Sequence, residues 1–355
     1  MKSTVVLTVA IGIIAAAVYS QSPPPGGRTS GPGVQSAADS REPDVLKTCK
    51  VQPEPRAGGG QGKGGGKGKG PAPAPGPKDY TVTEIPGVIA AGQKWKEVWK
   101  VEGNNADGII GTKDGGLLIA QNDNSTVVKL DKDGKVSDAY TGLNTSGSVA
   151  MNSKGALFVA NRGFNPSIEQ LAPTRKTLAN KYNDEPMDCI RSVLNDISAD
   201  SKGGVYFTMG GLFHADAKGK VTKYGDMLTT NGIMLSADEK HLWVTNGASL
   251  AEFDVQKDGS LTNQREFVKL QGGGDGSTFD SMGRLYVTTN GANGGVEVIS
   301  PEGKSLGVIP TPRGVISVAF SGLDRKTLYA VSREGNTDWI ISIQMIAQGA
   351  KGRGK

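Results

Sequence analysis

Short runs of branched and aromatic residues return down the chain: "LLIA" from Leu117, "LFVA" from Leu157, "VYFT" from Val205, "LWVT" from Leu242, "LYVT" from Leu285 and "LYAV" from Leu328. Each follows a polar turn ("KDGG", "SKGA", "SKGG", "ADEKH", "SMGR" or "LDRKT") with Gly or Asp where a tight hairpin needs them. Such runs, bounded by turns and not interrupted by long helical patterns, read as strands. They start about 40 residues apart, the blade period of a β-propeller. Several are followed by a third strand with its own turn, as in "TVVKLDKDG", "LAEFDVQKDG" and "VEVISPEG". The pattern predicts an all-β chain folded as a six-bladed β-propeller, a ring that leaves few edges exposed. The last repeat, around Val315 to Met345, shows three strands. Its missing outer strand is expected from "WKEVWKV", Trp95 to Val101, which would close the ring.

Blade geometry then selects residues. The first strand of a blade runs outward from one face and the second returns to it, so residues before strand one and after strand two share that face. The first set is Asp107, Gly147, Asn195, Asn231, Asp275 and, less surely aligned, Gly314; the second includes Gln121, Asn161, Arg162, Met209, Asn246 and Asn290. Two carboxylates and two carboxamides from Asp107, Asn195, Asn231 and Asp275, facing one channel, make a hard-oxygen cage suited to Ca²⁺ or Mg²⁺ and tolerant of Mn²⁺. The competing reading is that Asp or Asn before Gly merely starts a turn. Arg162 is open to two readings, a substrate-binding cation or a solvated loop cation. Asn161 and Asn290 are candidate substrate contacts on the same face.

Composition narrows the picture outside the ring. Met1–Ser20 has a Lys, a short apolar run and small residues toward its end, the pattern of a cleaved secretory signal. Its run from Val5 to Tyr19 is short for a membrane span. An exported protein, periplasmic or extracellular, with no transmembrane span after cleavage is expected. Residues 21–84 read as a disordered Gly/Pro/Lys-rich linker, residues 85–347 as the propeller and residues 348–355 as a basic tail. Ten basic and five acidic residues precede Tyr80, which accounts for the whole net charge of +5. The high pI of about 9.0 therefore belongs to the linker and tail and does not imply nucleic acid. The linker's charge offers a weak hold on anionic surfaces, with plain solubility as the alternative. Export would permit a disulfide between the two cysteines, Cys49 in the linker and Cys189 in a loop, but their placement does not argue for one. Residues 163–193 read as a long insertion in blade two that shapes a pocket wall.

The phrases "DGIIGTKDGGLLIA", "LNDISADSKGGVYFT", "TNGIMLSADEKHLWVT" and "GDGSTFDSMGRLYVTT" resemble the senescence marker protein-30 (SMP-30)/gluconolactonase/LRE-like family of six-bladed propellers, over roughly Ala106 to Ala330. The resemblance implies an enzyme that opens sugar lactones or similar small esters with a divalent cation, Ca²⁺ first, with Mg²⁺, Mn²⁺ or Zn²⁺ as alternatives. It also implies roles. Asp107, Asn231 and Asp275 become metal ligands, Asn195 a metal or substrate contact, and Asp275 the general base as well. The chain departs from the family where Asp107-Gly108-Ile109 stands for Glu-Gly-Pro, and Gly274-Asp275-Gly276 for Pro-Asp-Gly. The expected mechanism is metal-assisted hydrolysis, the cation polarising the carbonyl while Asp275 takes a proton from water.

Other chemistries fit poorly. His214 shares a third-strand register with Lys129 and Glu252 and reads as outward-facing; His241 lies at the opposite face. Ser277 has no His beside it, against a Ser-His-Asp triad. "GKGGGKGKG" lacks the strand, helix and Ser/Thr of a phosphate loop. The remaining alternative is a non-catalytic propeller that binds a small ligand or a partner protein on the same face.

Overall fold

A computed structural model describes residues 41–50, 80–291 and 294–352. The expected signal segment, Met1–Ser20, and most of the expected linker lie outside the described residues. The rest forms six four-stranded antiparallel sheets, the blades of a six-bladed β-propeller. The innermost strands are Ile109–Gly111, Ser146–Met151, Ile197–Ala199, Thr230–Leu235, Gly274–Phe279 and Gly314–Ser321, in blades one to six. Within each blade the chain then steps outward. Blade six takes its outer strand from the start of the domain: Lys96–Glu102 pairs antiparallel with Thr337–Gln344, as expected for "WKEVWKV".

The core lies between blades. Six apolar clusters each join two neighbouring sheets. Ile109 packs toward blade six while Ile110 packs toward blade two. Alternate side chains of one strand therefore face opposite neighbours, so both faces of a sheet are covered and the inner runs read as continuously apolar. Each large side chain buried this way contributes about 1.5–3 kcal/mol.

Face-to-face stacking corrects the reading of His214. It is buried, its ring stacks on Tyr206 and its Nε2 lies 2.9 Å from Asp200 Oδ2. A third-strand position that would be solvated in an open sheet here meets the next blade. His241 keeps its expected place, near Glu252 and Asp254 at the far end.

Residues 163–193 are also different from the expected insertion. Ser167–Ala172 and Lys176–Ala179 are blade two's third and fourth strands; only the hairpin of Lys181–Tyr182 with Glu185–Pro186 and the 3-10 turn Met187–Ile190 are extra. That turn carries Cys189, which is disulfide-bonded to Cys49, Cα–Cα 5.7 Å. The pairing that the sequence leaves open is made because a short helix, Glu42–Leu46, sits against this turn and presents Cys49 to it. The propeller's packing also begins before residue 85, with Val82 in the cluster between blades five and six. It continues past residue 347, where Gly349 bridges to Asp280.

Candidate functional site

Asn231 and Asp275 each lie within a register shift at the start of an innermost strand, between Thr230 and Ile233 and between Gly274 and Ser277. A β-bulge re-aims the side chain of the extra residue, and here it turns a carboxamide and a carboxylate to the channel end. Blade two has the same device at Gly147. The glycine that follows Asp107, Asn231 and Asp275 has a steric cause. A Cβ on Gly232 would stand 2.1 Å from the Asp275 carbonyl oxygen, one on Gly108 2.7 Å from Ser148 Cα and one on Gly276 2.8 Å from the Ile316 carbonyl oxygen. Inner strands of adjacent blades converge at this end of the axis, and only glycine admits the approach. The repeated Asp/Asn-Gly is therefore a close-packing signature and not a turn.

The four side chains meet in one hydrogen-bonded circuit. Asp107 Oδ2 accepts from Arg162 (2.5 Å) and from Asn122 (2.8 Å). The other arm of the Arg162 guanidinium donates to Asn195 Oδ1 (2.9 Å) and to its carbonyl oxygen. Asn195 Nδ2 donates to Asn231 Oδ1 (2.5 Å), and the Asn231 side chain hydrogen-bonds Asp275. Asp107 and Arg162 are buried; Asn195, Asn231 and Asp275 keep partial exposure to the channel. Behind Asp107, a buried Asp338 accepts from the Asn105 and Ala106 amides and pairs with Arg333, which fixes the entry to blade one.

Burial pushes the Asp275 carboxyl up to about 7, the negative charges of Asp107 and Asp196 add to the rise, and Arg162 and Asn231 oppose it. Arg162 only partly offsets the charge of carboxylates gathered this closely, and the donor set around them is oxygen from two carboxylates and two carboxamides. Both properties fit a hard divalent cation.

Residues 142–334 match the model of the SMP-30/Gluconolactonase/LRE-like region. The chain belongs to this family. It is 26% identical to the lactonase drp35 of Staphylococcus saprophyticus subsp. saprophyticus over 301 residues, 75% of this chain and 90% of that protein. A gluconolactonase of Xanthomonas campestris has the same fold, with a TM-score of 0.64 at 18% identity over 77% of this chain and 98% of its own. So does regucalcin, a calcium-binding protein of Agrobacterium tumefaciens, with a TM-score of 0.57 at 16% identity over 78% and 96%.

Against this SMP-30/gluconolactonase frame, the structure brings Asp107, Asn195, Asn231 and Asp275 together and separates other expected contacts. Asn161 is buried, its amide donates to Glu169 and its Oδ1 accepts the Asn144 amide. Asn290 Oδ1 accepts the Gly273 amide, and Asn246 Oδ1 accepts that of Thr229. All three reach back 17 residues, so Asn after the second strand caps the loop entering the first strand of its own blade. Their recurrence is architectural, and Asn161 has no side-chain group left facing the ring. Arg162 is not a solvated loop cation, since its side chain is only 2% exposed.

Two residues escaped the sequence reading. Asp196 accepts from Ser148 Oγ, and from the amides of Ile197 and Ile233, joining blades two, three and four beside the ring. Asn122 braces Asp107. Adjacency to Asn195 in "LND" was the available signal for Asp196; nothing local marks Asn122. A separate cavity of about 670 Å³, lined by Trp243, Phe279 and Leu285 among others, opens at the opposite end and contains none of the ring residues.

Proposed function

We propose that the chain is an exported lactone hydrolase of the gluconolactonase type, with its active site at the ring of Asp107, Asn195, Asn231 and Asp275. The observation that carries this reading is the single circuit linking four oxygen-bearing side chains from four separate blades. The lactonase activity named for the S. saprophyticus relative supports the reaction class and a small-molecule lactone or ester as substrate.

A divalent cation held by these four residues, Ca²⁺ first among Mg²⁺, Mn²⁺ and Zn²⁺, would supply Lewis-acid polarisation of the ester carbonyl. Asp275, once ionised, accepts the proton of the attacking water, and its value near 7 suits a base at neutral pH. Asn231 orients the Asp275 carboxylate. Asn195 lies beside it on the exposed side of the ring, placed to meet a substrate hydroxyl. Export is supported by the Cys49–Cys189 disulfide, a bond that persists in oxidising compartments.

The test is Asp275→Asn against a lactone panel, with circular dichroism to check folding. Turnover should fall by about 10²–10⁴, the usual worth of a general base, while the spectrum is unchanged. Undiminished hydrolysis in the folded variant would remove Asp275 from the mechanism. A wild-type protein that binds a lactone but never opens it would make this face a ligand-binding one.

A further inference from the structure

The Arg162 guanidinium spans two of the four oxygen donors, with one nitrogen on Asp107 Oδ2 and the other on Asn195 Oδ1. It is a cation carried by the chain itself, placed where the ring needs positive charge. The space for it is built: a Cβ at Gly147 would stand 1.8 Å from Arg162 Nε and 2.0 Å from Cζ, so this bulged position must be glycine for the guanidinium to lie there. The seat is also imperfect, because Nε is buried without a hydrogen-bond partner. A buried N–H left unpaired carries a cost, which leaving the seat removes.

We infer that Arg162 is a tethered competitor of the divalent cation, holding Asp107 and Asn195 until the ion displaces it. The inference rests on the cation reading above and adds a means of selecting the ion. Ligation of an ion by both oxygens requires the guanidinium to give them up. A double charge repays that loss of contact better than a single charge does, since Coulomb attraction to the ring scales with ionic charge. The device therefore sets affinity below what the oxygen set alone would give and discriminates against monovalent ions.

Calorimetric titration of the purified chain with CaCl₂ in a KCl buffer tests this. Arg162→Gln should bind Ca²⁺ at least tenfold more tightly than wild type. Gly147→Ala, which keeps the arginine but fills its seat, should tighten binding in the same direction. Replacing KCl by choline chloride at equal ionic strength should leave the wild-type isotherm unmoved and tighten Ca²⁺ binding further in Arg162→Gln, which no longer excludes K⁺ from the ring. Unchanged or weaker Ca²⁺ binding in Arg162→Gln, with wild-type binding intact, would overturn the competition and leave the metal reading standing. No binding of Ca²⁺, Mg²⁺ or Mn²⁺ by wild type or either variant would overturn both.

Discussion

The carboxyl of Asp275 must be ionised to take a proton, yet its burial and the charges of Asp107 and Asp196 resist ionisation. Its folded value of about 7 stands above the ordinary 3.8. A raised value means that its stabilising contribution is full below about pH 4 and is lost as pH rises through about 7. Without added cation, the melting temperature should therefore fall between about pH 4 and 7 and level off above that. Asp275→Asn should flatten that fall, and Ca²⁺ should offset it by stabilising the ionised form; scanning calorimetry across pH reads all three. The rising limb of kcat/KM should lie near pH 7 at low Ca²⁺ and move to lower pH as Ca²⁺ is raised. Arg162 belongs to the same balance. Removing one partner of a buried ion pair costs about 3–5 kcal/mol, so Arg162→Gln should melt lower than wild type in chelator and regain stability in Ca²⁺.

Inner strands meet where adjacent blades converge, and the glycines there are the elements' contact points. Gly232→Ala forces a methyl against the Asp275 backbone and should cost about 1–3 kcal/mol in urea denaturation, the usual range for overpacking. Glycine at a solvent-facing turn such as Gly134, with nothing near its missing Cβ, lacks that steric conflict and carries only its positive φ. The strands and their order were legible because each blade writes the same local pattern, and ring closure by Trp95–Val101 followed from counting strands. Asp107, Asn195, Asn231 and Asp275 were legible for the same reason: a repeat fixes which residue begins each first strand. The misreadings share another cause, contacts with residues distant along the chain. His214 looked outward because its own strand cannot show that Gly259 of blade four lies against its ring. Asn161 looked like a pocket residue because the loop it caps lies 17 residues earlier. The place of Arg162 depends on a gap at Gly147, and the Cys49–Cys189 bond on where a short helix docks.

At the scale of the whole molecule, six apolar layers run between blades, so the ring is stable as a closed cycle and each blade borrows its neighbours' surface. A chain starting at residue 80 retains every described strand and should unfold in one cooperative transition by circular dichroism. One starting at residue 104 loses the outer strand of blade six and exposes the edge of Thr337–Gln344; it should melt over a broad range or aggregate. The closing strand has a further consequence for biosynthesis. Lys96–Glu102 leaves the ribosome first among the described strands and finds its partner last, so it spends the longest interval with bare backbone on its edges. Four of its seven residues are charged, Lys96, Glu97, Lys100 and Glu102, and charges of this kind discourage a stray strand from adding there. The residues that latch the finished ring thus also guard the nascent polypeptide against joining a neighbour's.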